Sequence, residues 1–273
     1  MSDRAGIGTY LAFTRLAFQR ETTYRVDVLT SLLGVAARLY LLFALWTALY
    51  QSRGPDAAPE GFTLPLIVTY SAVSLLYGLV VNSATESADQ VEDKIRDGNI
   101  ATDLFRPVRY PLTVMADGLG AMGFGLLQVI PALLVLAPII HLVAPPTPDA
   151  AALFVLSALL GIAVNFSMTL MLNLTAFWIL ETFGIQMILR WVSMALSGAV
   201  VPVWFFPGAF QAIALALPFQ AIYSTPLSIY VGKLQGPTAW AFIGIQAFWV
   251  FALGGICALM WTRGVRKVVV QGG

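Results

Sequence analysis

The chain has 273 residues, of which 59% are hydrophobic and only 11% charged, with a net charge of +1. A soluble domain carries about 25% charged residues. The composition therefore excludes an ordinary soluble domain and implies an integral membrane protein with little mass outside the bilayer. Near-zero net charge gives no argument for nucleic acid, and no nucleic-acid partner is expected. The single cysteine, Cys257, lies in an apolar run, so there is no disulfide framework and no cysteine-based metal site. The single histidine, His141, closes another apolar run and reads as structural, because a metal site needs more ligands nearby.

Residues 1–27 lack a continuous apolar core and carry Arg4, Arg15, Arg20 and Arg25, which is unlike a cleavable signal peptide. Within them Ile7, Tyr10, Leu11, Thr14, Ala17 and Phe18 recur at helical spacing, with arginines interleaved. This predicts a basic amphipathic helix lying on the inner membrane surface. The alternative is a plain extension of the first spanning helix.

A spanning helix needs about 20 mostly apolar residues to cross about 30 Å of hydrocarbon. Runs 28–50, 62–82, 112–143, 150–180 and 240–262 qualify, and 186–203 qualifies marginally. The third and fourth are longer than one perpendicular crossing requires, and Pro131 and Pro138 supply kinks in the third. Segment 204–232 is apolar but broken by Pro207, Gly208, Pro218, Pro226 and Gly232. Two legs of about ten residues reach only halfway through the hydrocarbon, so a re-entrant hairpin is predicted. With six spans and both termini inside, Arg4, Arg15, Arg20, Arg25, Lys94, Arg96, Arg106, Arg109, Arg190, Arg263, Arg266 and Lys267 all face the cytoplasm, as the positive-inside tendency prefers. Only Arg53 and Lys233 then face out. The expected fold is all-α and polytopic: six spans, an N-terminal interfacial helix and a re-entrant helical hairpin before the last span.

Ten charged side chains crowd into residues 86–109, between two apolar runs. As a helix, 86–97 places Ala88, Val91 and Ile95 on one narrow face. Glu92 and Arg96 form an i,i+4 pair, and Gly98 is a natural stop. A second short element, 100–106, is ended by Pro107. A solvated linker needs neither an apolar ridge nor two stop signals, so the island reads as a docking surface.

Polar residues inside spans usually face protein or a cavity. Asn165, Thr169 and Asn173 share one face of span four, as do Ser71, Ser74, Gly78 and Asn82 of span two. They fit either a weakly polar substrate pathway or helix–helix packing, and packing is favoured. Gly118, Gly120, Ala121, Gly123 and Gly125 read as close packing. Arg38, mid-span, either binds an anionic headgroup or substrate or pairs with an acid such as Asp117 or Glu86. Trp204, Phe205, Phe206, Phe210, Phe219 and Tyr223 suit interfacial anchors. Their functional alternative is an outward gate.

At this point the chain resembles the permease subunits of ABC type-2 exporters. The stretch 95–108, IRDGNIATDLFRPV, is similar to that family's first cytoplasmic loop. Residues 197–233 resemble its fifth span and following re-entrant hairpin, and Tyr24-Arg25 resembles the exit from its interfacial helix. The nearest subgroup is bacterial, with largely unassigned substrates often thought to be drugs or antibiotics. The resemblance implies one permease domain over 1–273 in the bacterial cytoplasmic membrane. Its parts are an interfacial helix (1–27), a coupling loop (83–111) and an outward re-entrant hairpin (204–232).

The implied ATPase-coupling residues are Glu86, Val91, Glu92, Asp93, Ile95, Arg96, Gly98, Leu104, Arg106 and Pro107, with Glu181 in a second contact around 181–190. On side-chain chemistry alone, the pathway candidates are Arg38, Ser74, Asn165, Thr169 and Asn173, and the gate candidates are Trp204, Phe205, Phe206, Phe219 and Tyr223. The chain lacks a G-x-x-x-x-G-K-[ST] motif; its Gly232-Lys233 pair is followed by Leu234. No enzymatic activity, metal or cofactor is expected in the chain itself. ATP and Mg belong to two partner ATPase subunits, and a second or related permease and membrane lipid complete the expected assembly. Scarce ionisable groups in the spans suggest a hydrophobic or amphiphilic cargo; a glycan or lipid-linked polymer is the alternative. An ion-coupled transporter without an ATPase would want several buried acids, and only Asp117 is a candidate. An intramembrane enzyme would need a nucleophile–base pair or metal cluster at depth.

Overall fold

In a computed structural model, residues 6–23, 25–53, 62–136, 142–179 and 182–271 are described. They form α1 (Ile7–Thr22), α2 (Arg25–Arg53), α3 (Leu64–Arg96), α4 (Ile100–Leu104), α5 (Tyr110–Leu136), α6 (Pro148–Leu174), α7 (Phe183–Leu196), α8 (Gly208–Ala216), α9 (Ser224–Tyr230) and α10 (Gly236–Gln271). Short 3-10 turns lie at Thr175–Phe177, Val203–Phe205 and Pro218–Ala221. No strand occurs among the described residues.

Among the described residues, five helices are long and apolar enough to cross a membrane: Thr30–Ser52, Leu64–Arg96, Tyr110–Leu134, Pro148–Phe177 and Gly236–Lys267. The protein is thus an all-α, polytopic membrane protein. The run 186–203 behaves differently from the others. Its helix, α7, has 14 residues, which is about 21 Å at 1.5 Å per residue and short of the hydrocarbon thickness. It ends at Leu196 because Gly198 takes φ +81°, a left-handed conformation no helix continues through, and Pro202 follows. The chain then runs without helix to Pro202. Segment 204–232 holds only α8 and α9, of 9 and 7 residues, and neither is long enough to cross.

The spine of the fold is α3. Its 33 residues reach about 50 Å, well beyond one bilayer core. The sequence suggested a separate helix over 86–97, but the second span runs into it without a break. No glycine or proline separates Gly78 from Gly98, and the Ser87 hydroxyl donates to the Val114 carbonyl of α5 at 3.0 Å instead of disturbing its own helix. Hydropathy marks where lipid ends, whereas the helix ends only at its glycine, Gly98, which takes φ +73°.

Small residues let α5 lie hard against its neighbours. A Cβ on Gly118 would sit 2.8 Å from the Ala84 carbonyl oxygen, and one on Gly125 would sit 2.9 Å from the Val80 Cα. On another face, a Cβ on Gly120 would fall 2.2 Å from the Thr14 carbonyl of α1. The close packing expected of these glycines is present. It also fixes α1, which packs along α5, with Thr14 donating to the Ala116 carbonyl at 3.0 Å and Ala17 buried. A plain extension of α2 would not take this position.

Deeper in the bundle, Gln246 of α10 is fully buried and fully bonded. It accepts from the Ser157 hydroxyl at 2.8 Å and donates to the carbonyls of Ser157 (3.0 Å) and Ala221 (2.7 Å). One side chain so ties α10, α6 and the turn at Pro218–Ala221 together.

Candidate functional site

The charged island folds into a compact hairpin of α3 and α4. Asp103 is the latch: its carboxylate accepts from Lys94 at 2.9 Å and faces Arg106 at 3.4 Å. Lys94 also lies 5.3 Å over the Tyr110 ring, adding a cation–π contact. Arg96 reaches Glu92 at 3.5 Å, the i,i+4 pair read from the sequence. The second element is shorter than the 100–106 expected, ending at Leu104.

The apolar ridge expected to dock outward points inward instead. Ala88 and Val91 are buried, and Ile95 packs with Val91 against Ile100, Tyr110, Val114, Leu174 and Phe177. Glu92 is buried too, at 5% exposure. Val91 and Glu92 therefore offer no contact surface, because the ends of α5 and α6 already cover that side of α3. Ile95 and Leu104 are half-buried, while Glu86, Asp93, Arg96, Gly98, Arg106 and Pro107 remain exposed. Glu181 lies outside the described residues.

What the hairpin presents is Phe105, 90% exposed just after the end of α4. Sequence reasoning named Leu104, Arg106 and Pro107 around it and missed it. The available signal was a lone aromatic in a charged loop, with no apolar ridge residue on which to lie. An exposed phenylalanine followed directly by Arg106 and Pro107 has the form of an interface anchor: a large apolar ring with a charge beside it to orient it.

Behind the hairpin lies a polar cluster that the sequence reading did not assemble. The Gln186 side-chain amide donates to the Glu92 carboxylate and to Asn173 Oδ1 at 2.9 Å, with Thr182 Oγ1 at 3.5 Å. Asn173 in turn donates to the Ala88 carbonyl at 3.0 Å and faces Asp89 at 3.5 Å. The end of α6, the start of α7 and the last turns of α3 thus share one partly buried hydrogen-bond network.

At the opposite end of α3, Tyr70 and Ser74 serve the non-helical segment after α7. Their hydroxyls donate to the Gly198 and Ala199 carbonyls, each at 2.6 Å. Backbone without helical partners is tolerated at membrane depth only where protein satisfies it. That is the task of these hydroxyls.

Of the residues assigned to a pathway, then, Ser74 and Asn173 are occupied in packing, and Asn165 and Thr169 are half-buried on α6. Arg38 is exposed on α2. Neither expected partner pairs with it: Arg20 and Lys94 are the cations acting on Asp117, and Arg20 the one acting on Glu86. The reason is rotational, since Val35, Leu39 and Trp46 turn inward against α3 and leave Arg38 on another face.

The expected gate aromatics divide into separate groups. Trp204 stacks among Phe62 (5.1 Å), Tyr70 (5.3 Å) and Phe205 (6.0 Å). Phe206 lies against Phe210 at 5.0 Å, and Tyr223 meets Tyr77 edge-on at 5.3 Å. Phe219 is buried in the core, so it presents no gate surface.

Residues 36–272 match the family model described as ABC-2 family transporter protein. The chain belongs to that family. No curated protein matches it. Permeases of the ABC-2 family generally work with ABC ATPases, and the membrane component is not itself catalytic. In this ABC-2 transporter the match spans α3, the α3–α4 hairpin, the polar cluster and the segment after α7. Among the described residues, no group of three or more His, Cys, Asp or Glu is placed to hold a metal ion.

Proposed function

We propose that this chain is the transmembrane permease of an ATP-driven exporter in the bacterial cytoplasmic membrane, with both termini cytoplasmic. The α3–α4 hairpin is its cytoplasmic docking element for an ABC ATPase. Two permeases, identical or related, assemble with two ATPases, which hold the ATP and Mg. The observation that carries the reading is Phe105, 90% exposed on a hairpin latched by Asp103. A flexible linker would have no reason to hold an aromatic ring clear of its own core. Of the contact set named from the sequence, Glu86, Asp93, Ile95, Arg96, Gly98, Leu104, Arg106 and Pro107 stay accessible, and Phe105 joins them.

The mechanics follow from α3. A push on the hairpin acts on the end of a rod of 33 residues that is wedged by glycine contacts against α5, so the force reaches the bundle and is not absorbed in a loop. The cargo is hydrophobic or amphiphilic and leaves past the hairpin at 204–232, because the interior side chains of the spans are largely apolar or engaged in packing.

The test is co-purification of the permease with its ATPase. Phe105→Ala removes a centrally placed apolar anchor, worth about 2 kcal/mol or more at an interface hot spot, so affinity should fall about 30-fold. Fold and melting temperature should stay unchanged, since the ring contacts little of its own chain. ATPase binding as tight as that of the unaltered chain would sink the docking assignment.

A further inference from the structure

The partly buried network behind the hairpin and the hydroxyl pair at the far end of α3 hold the same partner. At the hairpin end, Glu92 and the Ala88 carbonyl of α3 bind Gln186 of α7 and Asn173 of α6. At the far end, Tyr70 and Ser74 of α3 bind the carbonyls immediately after α7. Tyr70 and Glu92 are 22 residues apart on one unbroken helix, about 33 Å along its axis. From positions about 33 Å apart on its own axis, α3 therefore holds both the start of α7 and the segment just after its end.

At the far end the Ser197 carbonyl also accepts from the Ser224 amide at 2.8 Å. Leu189, Val192 and Leu196 pack against the core, whereas Phe183, Ile188, Trp191 and Met194 face away from the rest of the chain. Beyond the far grip comes Trp204, whose ring meets that of Tyr70 edge-on at 5.3 Å. Backbone continuity then leads through Pro207 into α8.

We infer that Gln186 and Asn173 are positioning residues that lock α7 to α3, so that displacement of the hairpin is delivered to α7 and to the aromatic segment 203–206 at the other end. The inference rests on the proposal that an ATPase docks on the hairpin. Glu92 supplies the acceptor for Gln186, and its burial explains why the ion pair with Arg96 does not expose it to a partner. Leucines at 173 and 186 would keep the volume and remove the hydrogen bonds, leaving Glu92 and the Ala88 carbonyl with nothing on α6 or α7 to hold.

The experiment uses the permease–ATPase complex, with Cys257→Ser as background and Ala209→Cys, on the exposed first turn of α8, as reporter. The rate of labelling by a membrane-impermeant maleimide is measured without nucleotide and with ATP plus vanadate. In the unaltered lock the nucleotide should change the rate several-fold. Asn173→Leu with Gln186→Leu should keep the ATPase bound but abolish the nucleotide response. Glu92→Gln, which retains an acceptor oxygen facing Gln186, should keep it. Tyr70→Phe with Ser74→Ala breaks only the far grip and should also abolish the response, which preserves the test if the leucine pair fails to fold. A response that survives in either double variant overturns the inference, as does its absence from the unaltered complex. Failure of any ATPase to co-purify with the unaltered chain overturns the docking proposal beneath it.

Discussion

Gly125→Ala adds one methyl group where α5 crosses α3, and the structure says what it would strike. The new Cβ would lie 2.9 Å from the Val80 Cα, 3.0 Å from the Leu79 carbonyl oxygen and 3.1 Å from the Ser83 Cβ. Ordinary carbon–carbon contact begins at about 3.5 Å, so the two helices must part by about half an ångström. No rotamer change can relieve the clash, because the atoms struck are backbone or the root of a side chain. Overpacking costs about 1–3 kcal/mol, and the upper part of that range, about 2–3 kcal/mol, applies where no struck atom can rotate away. Alanine returns up to about 1 kcal/mol of helix propensity over glycine. The net loss is about 1–2 kcal/mol, or a melting temperature lower by about 2–8 °C at roughly 2–4 °C per kcal/mol. Gly254→Ala is the control, since a Cβ there meets nothing within 4 Å. It takes the propensity gain without the clash. The assay is thermal unfolding of both variants in the same detergent, followed by size-exclusion chromatography. A Gly125→Ala protein that melts with the wild type or above it would refute the packing argument.

Gln246→Leu should be more damaging. It strips partners from the Ser157 hydroxyl and the Ala221 carbonyl in a fully buried site, at about 1–3 kcal/mol for each group left unmade, and the same melting assay should show the largest drop of the set. Asp103→Ala should do the reverse, leaving global melting unchanged while loosening the hairpin. Its partners Lys94 and Arg106 are 42% and 58% exposed, so each pair contributes at most about 1 kcal/mol. Amide exchange over residues 100–106 should quicken several-fold, and less so in high salt, where the wild-type pairs are already screened.

The membrane class, the helical spans and the placement of the charged island between two of them follow from composition and run length alone. Lipid accepts long apolar helices and rejects charge, whatever their neighbours. Local rules also reached Gly98 as the end of α3, since a left-handed stop needs glycine. They found the Glu92–Arg96 pair, which neighbours on one helix turn make without outside help. Tertiary structure decided the rest. Whether the ridge at Ala88, Val91 and Ile95 faces a partner or its own bundle depends on where α5 and α6 end, and nothing in a single helix encodes that. Arg38 missed Asp117 and Glu86 because the rotation of α2 is set by Val35, Leu39 and Trp46 against α3. Gln186 meets Glu92, and Asn173 the Ala88 carbonyl, across more than 80 residues of chain, a distance no periodicity reports. Phe105 is the converse case. Its chemistry was plain in the sequence, but its meaning depends on exposure, which exists only once every other side chain has taken its place.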